Sequence, residues 1–407
     1  MTIRDTIDAN WQREVDFLKA LVRVPSDNPP GDCAAAAEVA AQKLMALGFK
    51  VERHPVPAAL VAAHGMKSAT NLIVRKTFGS GKGPVIALNA HGDVVPPGEG
   101  WTVDPYGAIE RGGAVYGRGA AVSKSDFATY AFALKALEEN PARLDGGIEL
   151  HFTYDEEAGG LIGPKWLIDQ GLTKAILAIS AGFSYAITTA HNGVLHLEVT
   201  VRGRQAHAAI PHTGDDALEA SVPILAAIYG ERKRLAGIVS KETGIGSPQI
   251  TVGLISGGIN TNVVPDRFRF RIDRRIVPEE NGIEVEKALI TVIKTAVPDG
   301  RGITVECLRI MLAEPLRPLP GVDRLVDTIQ RNAKSVLKVP VEATGVPLYT
   351  DARHYAAAGI PTVLYGAGPR SILEANAHGA DEHLKLSDLR AATEVIALTL
   401  RDLLTGI

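Results

Sequence analysis

One histidine and a run of acids are the residues whose types and spacing suit chemistry in this chain. His91 and Asp93 stand two apart at the end of Val85-Ile86-Ala87-Leu88-Asn89-Ala90-His91-Gly92-Asp93. The apolar run, bounded by Gly83-Pro84, is too short for a helix and predicts a buried strand that stops at His91. In an open α/β sheet, reactive groups collect beyond the carboxyl ends of the strands. An imidazole with a carboxylate two residues on suits a metal ligand oriented by an acid; a surface His–Asp contact has the same sequence. A second apolar stretch, Gly147 to Tyr154, runs into Asp155-Glu156-Glu157 and then Gly159-Gly160. Three adjacent carboxylates repel one another unless a cation or protons relieve them, although a solvated acidic turn is also written this way.

The elements around these groups follow from periodicity. Apolar residues at spacings of three and four predict helices over 2–22 and, alanine-rich, over 33–47. Val24-Pro25-Ser26-Asp27-Asn28-Pro29-Pro30-Gly31 ends the first, since consecutive prolines cannot continue a helix. Strands are predicted at 49–53 and 71–75, then the His91 strand, a long glycine-rich loop through 98–120, a helix at 126–140, the strand at 147–154 and another at 175–180. From Val194 to about Ala313 the pattern changes to strand, helix, strand, strand, helix, strand (195–202, 217–235, 249–255, 263–276, 283–297, 304–311), the order of a ferredoxin-like unit. A helix at 322–337, a strand at 361–365 and a helix at 387–404 then resume the first pattern, with Ala377-His378-Gly379-Ala380-Asp381-Glu382 between the last two. The expectation is an α/β fold: a mixed-sheet catalytic domain (1–193 and 314–407) split by an inserted ferredoxin-like α+β domain (194–313), whose exposed sheet edge predicts a lid and dimerisation surface.

At 407 residues the chain is long enough for two domains. A formal charge of −3, with no lysine or arginine run, gives no electrostatic case for nucleic acid or a membrane surface. Two cysteines exclude a disulfide framework, no run of 18 apolar residues exists, and the start lacks a signal-peptide core. A cytoplasmic location is therefore expected.

Taken in order, several motifs resemble one family. They are His91-Gly92-Asp93-Val94-Val95-Pro96, Gly100-Trp101 with Asp104-Pro105, Tyr116-Gly117-Arg118-Gly119-Ala120 with Lys124, Asp155-Glu156-Glu157, Gly203 through Ala206-His207 to Pro211, Asn262-Val263-Val264-Pro265-Asp266, Asp351-Ala352-Arg353 and His378-Gly379. In these the chain resembles the co-catalytic zinc peptidases and amidohydrolases that include aminoacylase, carboxypeptidase G, acetylornithine deacetylase and succinyl-diaminopimelate desuccinylase. The resemblance implies a catalytic domain split by a lid domain, and a homodimer. It makes Glu156 the general base toward the attacking water, Glu157 and His378 ligands of one metal, and His91 a ligand of the other with Asp93 behind it. It brings His207, across the dimer, and Asn262 to the substrate as oxyanion and binding groups. Arg353 becomes an anchor for a substrate carboxylate, although a structural Arg–Asp pair fits its sequence equally well. The implied chemistry is hydrolysis of an amide-type bond in a small molecule, since a metal lowers the pKa of bound water to about 7 and polarises the carbonyl.

Two positions depart from the family's pattern, and both are metal ligands. Val122 stands where the bridging aspartate is expected, and Ala181 where a later acid is expected. Without those charges a dinuclear centre is not expected; one divalent ion, zinc or manganese, is. Asp126 could supply a third ligand if the loop shifts by a turn, and an acid in the first turn of a helix is equally a helix-dipole partner. Three readings remain open: a mononuclear hydrolase, a metal-independent hydrolase of a cyclic or activated substrate, and a binding protein without chemistry.

Overall fold

The computed structural model describes residues 2–141, 143–297 and 302–406. The chain divides into two compact units, one of Met1–Thr189, Pro318–Thr344 and Thr350–Ile407, the other of Ala190–Arg317 with Gly345–Tyr349.

The first unit is built on a mixed sheet of eight strands, in the order Val51–Pro55, Thr70–Phe78, Gly146–Thr153, Val85–His91, Leu177–Ser180, Thr362–Leu364, Ala186–His191 and Glu342–Val346. Its centre is parallel: Val85–His91 lies between Gly146–Thr153 and Leu177–Ser180, which in turn pairs with Thr362–Leu364. Every residue of Gly146–Thr153 is buried, as in a strand covered on both faces. One cover is the helix trio Ile3–Val22, Lys124–Glu138 and Leu386–Thr405. Lys124–Glu138 is buried nearly all round, so it is a core helix without a polar face. The first helix starts in a capping box, Thr2 Oγ1 accepting from Asp5 N at 3.2 Å while Asp5 Oδ2 accepts from Thr2 N at 2.8 Å. Ala87, Ala178 and Tyr355 form a smaller apolar cluster. Three short strands, Ile109–Arg111, Ala114–Tyr116 and His383–Lys385, make a separate sheet within the glycine-rich loops.

The second unit carries a four-stranded antiparallel sheet in the order Gln249–Gly257, Arg267–Ile276, Gly193–Arg202, Thr304–Ala313. Numbered along the chain this is 2-3-1-4, the ferredoxin-like arrangement. Leu195, Leu197, Val199 and Val201 alternate inward from the central strand and meet Ile224 and Ile228 of helix Ala217–Leu235 and Leu289 and Ile293 of helix Gly282–Thr295. Side-chain caps begin both helices: Asp216 accepts from Leu218 N and Glu219 N, and Asn281 from Glu284 N.

The third strand of this unit begins at Arg267, not at Val263 as periodicity suggests. Pro265 has no N–H for a ladder, and the backbone before it bonds elsewhere: Ala208 N donates to Asn262 O at 3.0 Å and Val264 N to Ala206 O at 2.9 Å. Sequence periodicity also passes over helices Ala58–Ala63 and Pro164–Asp169 and strand Ala186–His191, each six residues long. Six residues are under two helical turns, too few to show a helical period, and Ala186-Ile187-Thr188-Thr189-Ala190-His191 lacks the strict apolar–polar alternation that marks a strand.

Candidate active site

Three parallel strands deliver the site. Val85–His91 ends on His91, Gly146–Thr153 leads into the single 3-10 turn Glu156–Ala158, and Leu177–Ser180 leads into Ala181. The two central strands are in register at His91↔Thr153, so their carboxyl ends open at one level.

Asp93 is the hub. Fully buried, it accepts from Glu156 N at 3.2 Å on one carboxylate oxygen, and from Glu157 N at 3.1 Å and Asn28 Nδ2 at 3.0 Å on the other. His91 Nδ1 lies 3.0 Å from the Asp93 carbonyl and 3.4 Å from Asp93 Oδ1. A ring nitrogen facing two acceptors carries the proton, which leaves Nε2 as the free donor atom toward the acids. That Nε2 is 4.0 Å from Glu156 Oε2, and His378 Nε2 is 3.2 Å from Glu157 Oε1. His91, Glu156 and Glu157 each offer one ligand atom, all within 4.8 Å of one another.

The electrostatics are those of a site short of positive charge. Burial pushes the Glu156 carboxyl up; His91 offsets part of that, and the neighbouring Glu157 and Asp93 add to it. Burial alone would lower the His91 imidazole, but Glu156, Asp93 and Glu157 together hold it well above its ordinary value. The His378 imidazole is raised chiefly by its hydrogen bond to Glu157. Three carboxylates facing one buried imidazole fit a divalent cation, which would neutralise them and draw on nitrogen and oxygen donors of the kind zinc accepts. The residues present therefore fit a divalent ion. Val122 precedes Ser123, whose hydroxyl bonds the His91 main chain, and Ala181 N donates to Asn89 O; both side chains pack half-buried against the apolar core and offer no ligand atom.

Other expected residues have different neighbours. Asp126 is buried, accepts from Ala367 N at 2.7 Å, and is raised to about 7 by burial despite that bond, a second from Gly182 and the His91 charge. It lies outside the group of converging ligand atoms, and its bonds tie the segments at 182 and 367 together. Arg353 is 5% exposed and donates to the Thr350 carbonyl at 2.9 Å and to the Gly159 carbonyl. Both bonds hold main-chain carbonyls, the bracing role that its sequence allowed beside that of an anchor. In the second unit His207 and Asn262 are both exposed and neighbours through their backbones, His207 bridging Val263.

Sequence reasoning passed over two supports. Asn28 lay in a segment read only as a helix breaker, although a polar amide among prolines hints at a fixed turn. The buried pair Arg118 Nη1–Glu382 Oε2, 2.6 Å apart, links the Gly-Arg-Gly loop to the segment after His378. Glu382 Oε1 also accepts from Ala121 N at 3.0 Å and Val122 N at 3.2 Å, while the Arg118 guanidinium lies over the Trp101 ring at 5.2 Å.

This fold and this set of residues define a hydrolase of the metallopeptidase and amidohydrolase type. The description of peptidase family M20/M25/M40 matches residues 87–402, and the chain belongs to that family. It is 28% identical over 406 residues to a succinyl-diaminopimelate desuccinylase of Thioalkalivibrio sulfidiphilus, covering 96% of this chain and 98% of that one. It is 29% identical over 371 residues to an acetylornithine deacetylase of Myxococcus xanthus, covering 88% and 90%. Among solved structures, an M20 family metallo-carboxypeptidase of Sulfolobus solfataricus superposes with a TM-score of 0.78 at 18% identity, over 97% of this chain and 98% of that one. A dinuclear metal-binding M20 peptidase of Bacillus subtilis does so with 0.71 at 16%, over 98% and 100%.

Proposed function

We propose that the protein hydrolyses an amide-type C–N bond in a small molecule, such as an N-acyl amino acid or short peptide, using one divalent ion, zinc or manganese. The observation that carries this reading is the convergence of His91, Glu156 and Glu157 on one point, with His378 against Glu157. His91, Glu157 and His378 would hold the ion; when bound, it supplies Lewis-acid polarisation of the amide carbonyl and a more acidic water. Glu156 takes the proton of the attacking water at its carboxylate and returns it to the leaving nitrogen. Its raised pKa suits both halves of that task, because a base near the working pH can also act as the acid. Asp93 holds the His91 ring and, through the Glu156 and Glu157 N–H groups, the turn that carries both acids. His207 and Asn262, on the lid unit, reach the substrate in the assembled homodimer. A cytoplasmic enzyme acting on a metabolite, with no nucleic-acid or membrane partner, completes the reading.

The relatives named for desuccinylation and deacetylation support a small N-acylated substrate. A second reading, metal-independent hydrolysis of a cyclic or activated substrate, draws on the apolar Val122 and Ala181. Elemental analysis of the purified protein, with turnover of an N-acyl amino acid panel before and after chelation, separates them. About one metal per chain and chelator-sensitive turnover are expected. A metal-free protein whose turnover ignores chelator sinks the first reading in favour of the second, and no turnover of any amide sinks both.

A further inference from the structure

Glu156-Glu157-Ala158 is a single 3-10 turn with no side-chain cap at its start. One such turn does not fix its own position, yet two acids of the site depend on where it lies. Asp93 holds its beginning through two N–H groups. Its end closes when Gly159 N donates to Glu156 O at 2.9 Å, with Gly159 in the left-handed region at φ 108°.

The Gly159 carbonyl is then gripped from outside the turn. Arg353 Nη2 donates to it, and His354 Nε2 lies 3.1 Å away. Arg353 Nη1 donates to the Thr350 carbonyl at 2.9 Å, so a single guanidinium ties the segment before helix Ala352–Ala357 to the end of the acidic turn. A planar fork can span two carbonyls; an ammonium is a point donor. The contact leaves no slack, because a Cβ at Gly160 would sit 2.0 Å from Asp351 Oδ1 and 2.9 Å from His354 Nε2. The turn therefore lies directly on the Asp351–His354 segment, and the guanidinium locks it there.

We infer that Arg353 is a positioning residue for the Glu156–Glu157 pair, acting through the Gly159 carbonyl. This rests on the reading of these acids as part of a metal site. Zinc affinity of the metal-free full-length protein, measured by competition with a coloured chelator, tests it without any substrate. Arg353→Met removes both donors at similar length, and its zinc dissociation constant is expected to rise about tenfold or more, as when other supports of ligands are lost. Arg353→Lys keeps the charge but reaches one carbonyl only, and a smaller rise, roughly threefold, is expected. A substrate anchor would leave both values unchanged, and a merely stabilising arginine would lower the thermal midpoint while the folded variant bound zinc normally. Wild-type protein binding about one zinc, with Arg353→Met within twofold of it, overturns the inference. Wild-type protein binding none overturns the metal-site reading instead, and this inference with it. Should Arg353→Met not fold, Arg353→Lys decides on the same measurement, equal affinity again overturning the inference.

Discussion

The two sides of the site make an instructive pair. On the His91 side the side chains are committed to charge: Asp93 gathers three N–H donors, His91 faces Glu156, and Glu157 faces His378. On the Val122–Ala181 side the main chain is held as firmly. Val122 N and Ala121 N donate to a buried Glu382 carboxylate, and Ala181 N donates to Asn89 O at 2.8 Å. Only the side chains differ, and there they are apolar. The shape of such a site and its charge are thus set by different residues. Main-chain bonds can hold a loop's course whatever its side chains display, so the course of a backbone is no evidence for a cation beside it.

The largest effect should come from the charged side. Glu156→Gln keeps the shape and removes the base; turnover of any amide substrate found is expected to fall by about 10²- to 10⁴-fold, while zinc uptake stays near one per chain. Unchanged turnover would move the chemistry elsewhere. Next, Asp93→Ala frees both the His91 ring and the acidic turn, and zinc affinity measured by chelator competition should weaken about 10- to 100-fold. The opposite side is tested by addition. Val122→Asp with Ala181→Glu restores two acids beside His91, and metal content should rise from about one toward about two per chain, the count a paired-ion site requires. A double variant that still takes up one ion would show that side chains alone do not separate the two halves.

The smallest effect lies away from both. Glu149 lies within the strand Gly146–Thr153 that leads into Glu156, and it accepts from Thr173 Oγ1 at 2.8 Å and sits 3.2 Å from His151 Nε2. Burial raises its carboxyl, but the bond to His151, the His151 charge, Thr173 and Arg75 outweigh that and hold it at about 2, against an ordinary 4.5. A folded-state pKa below the unfolded one gives stability that is present above pH 4.5 and lost as pH falls toward 2. Glu149→Gln should therefore flatten the thermal midpoint against pH in that window and leave zinc affinity unchanged. A shift in zinc affinity would mean that the strand transmits its strain to His91.

Much of this was legible in the sequence. The His91 strand, the acidic strand end and the order of the ferredoxin-like unit all follow from runs long enough to display a period, and helices 217–235 and 322–337 were read to the residue. The motifs single out His91, Glu156 and Glu157 but divide Glu157 and His91 between two metals, whereas the structure brings ligand atoms of all three within 4.8 Å of one another. Supports were harder to see. Asn28 reaches Asp93 across 65 positions and Arg118 reaches Glu382 across 264; no local pattern encodes a contact at that distance. Arg353 shows the reverse difficulty: Asp351-Ala352-Arg353 suited both an anchor and a brace, and only the direction of its donors separates them.

The buried tie between Arg118 and Glu382 has a consequence for how the chain is made. Its partners emerge from the ribosome far apart, with the whole second unit synthesised between them. The strand Thr362–Leu364 and the helix Leu386–Thr405 that complete the first unit also follow the second unit in the chain. Domains fold largely as units during synthesis, so the inserted unit can close while the surrounding one still waits for its final third. Until then Leu177–Ser180 lacks one of its two neighbours in the sheet, and an unpaired apolar edge is open to pairing with another chain.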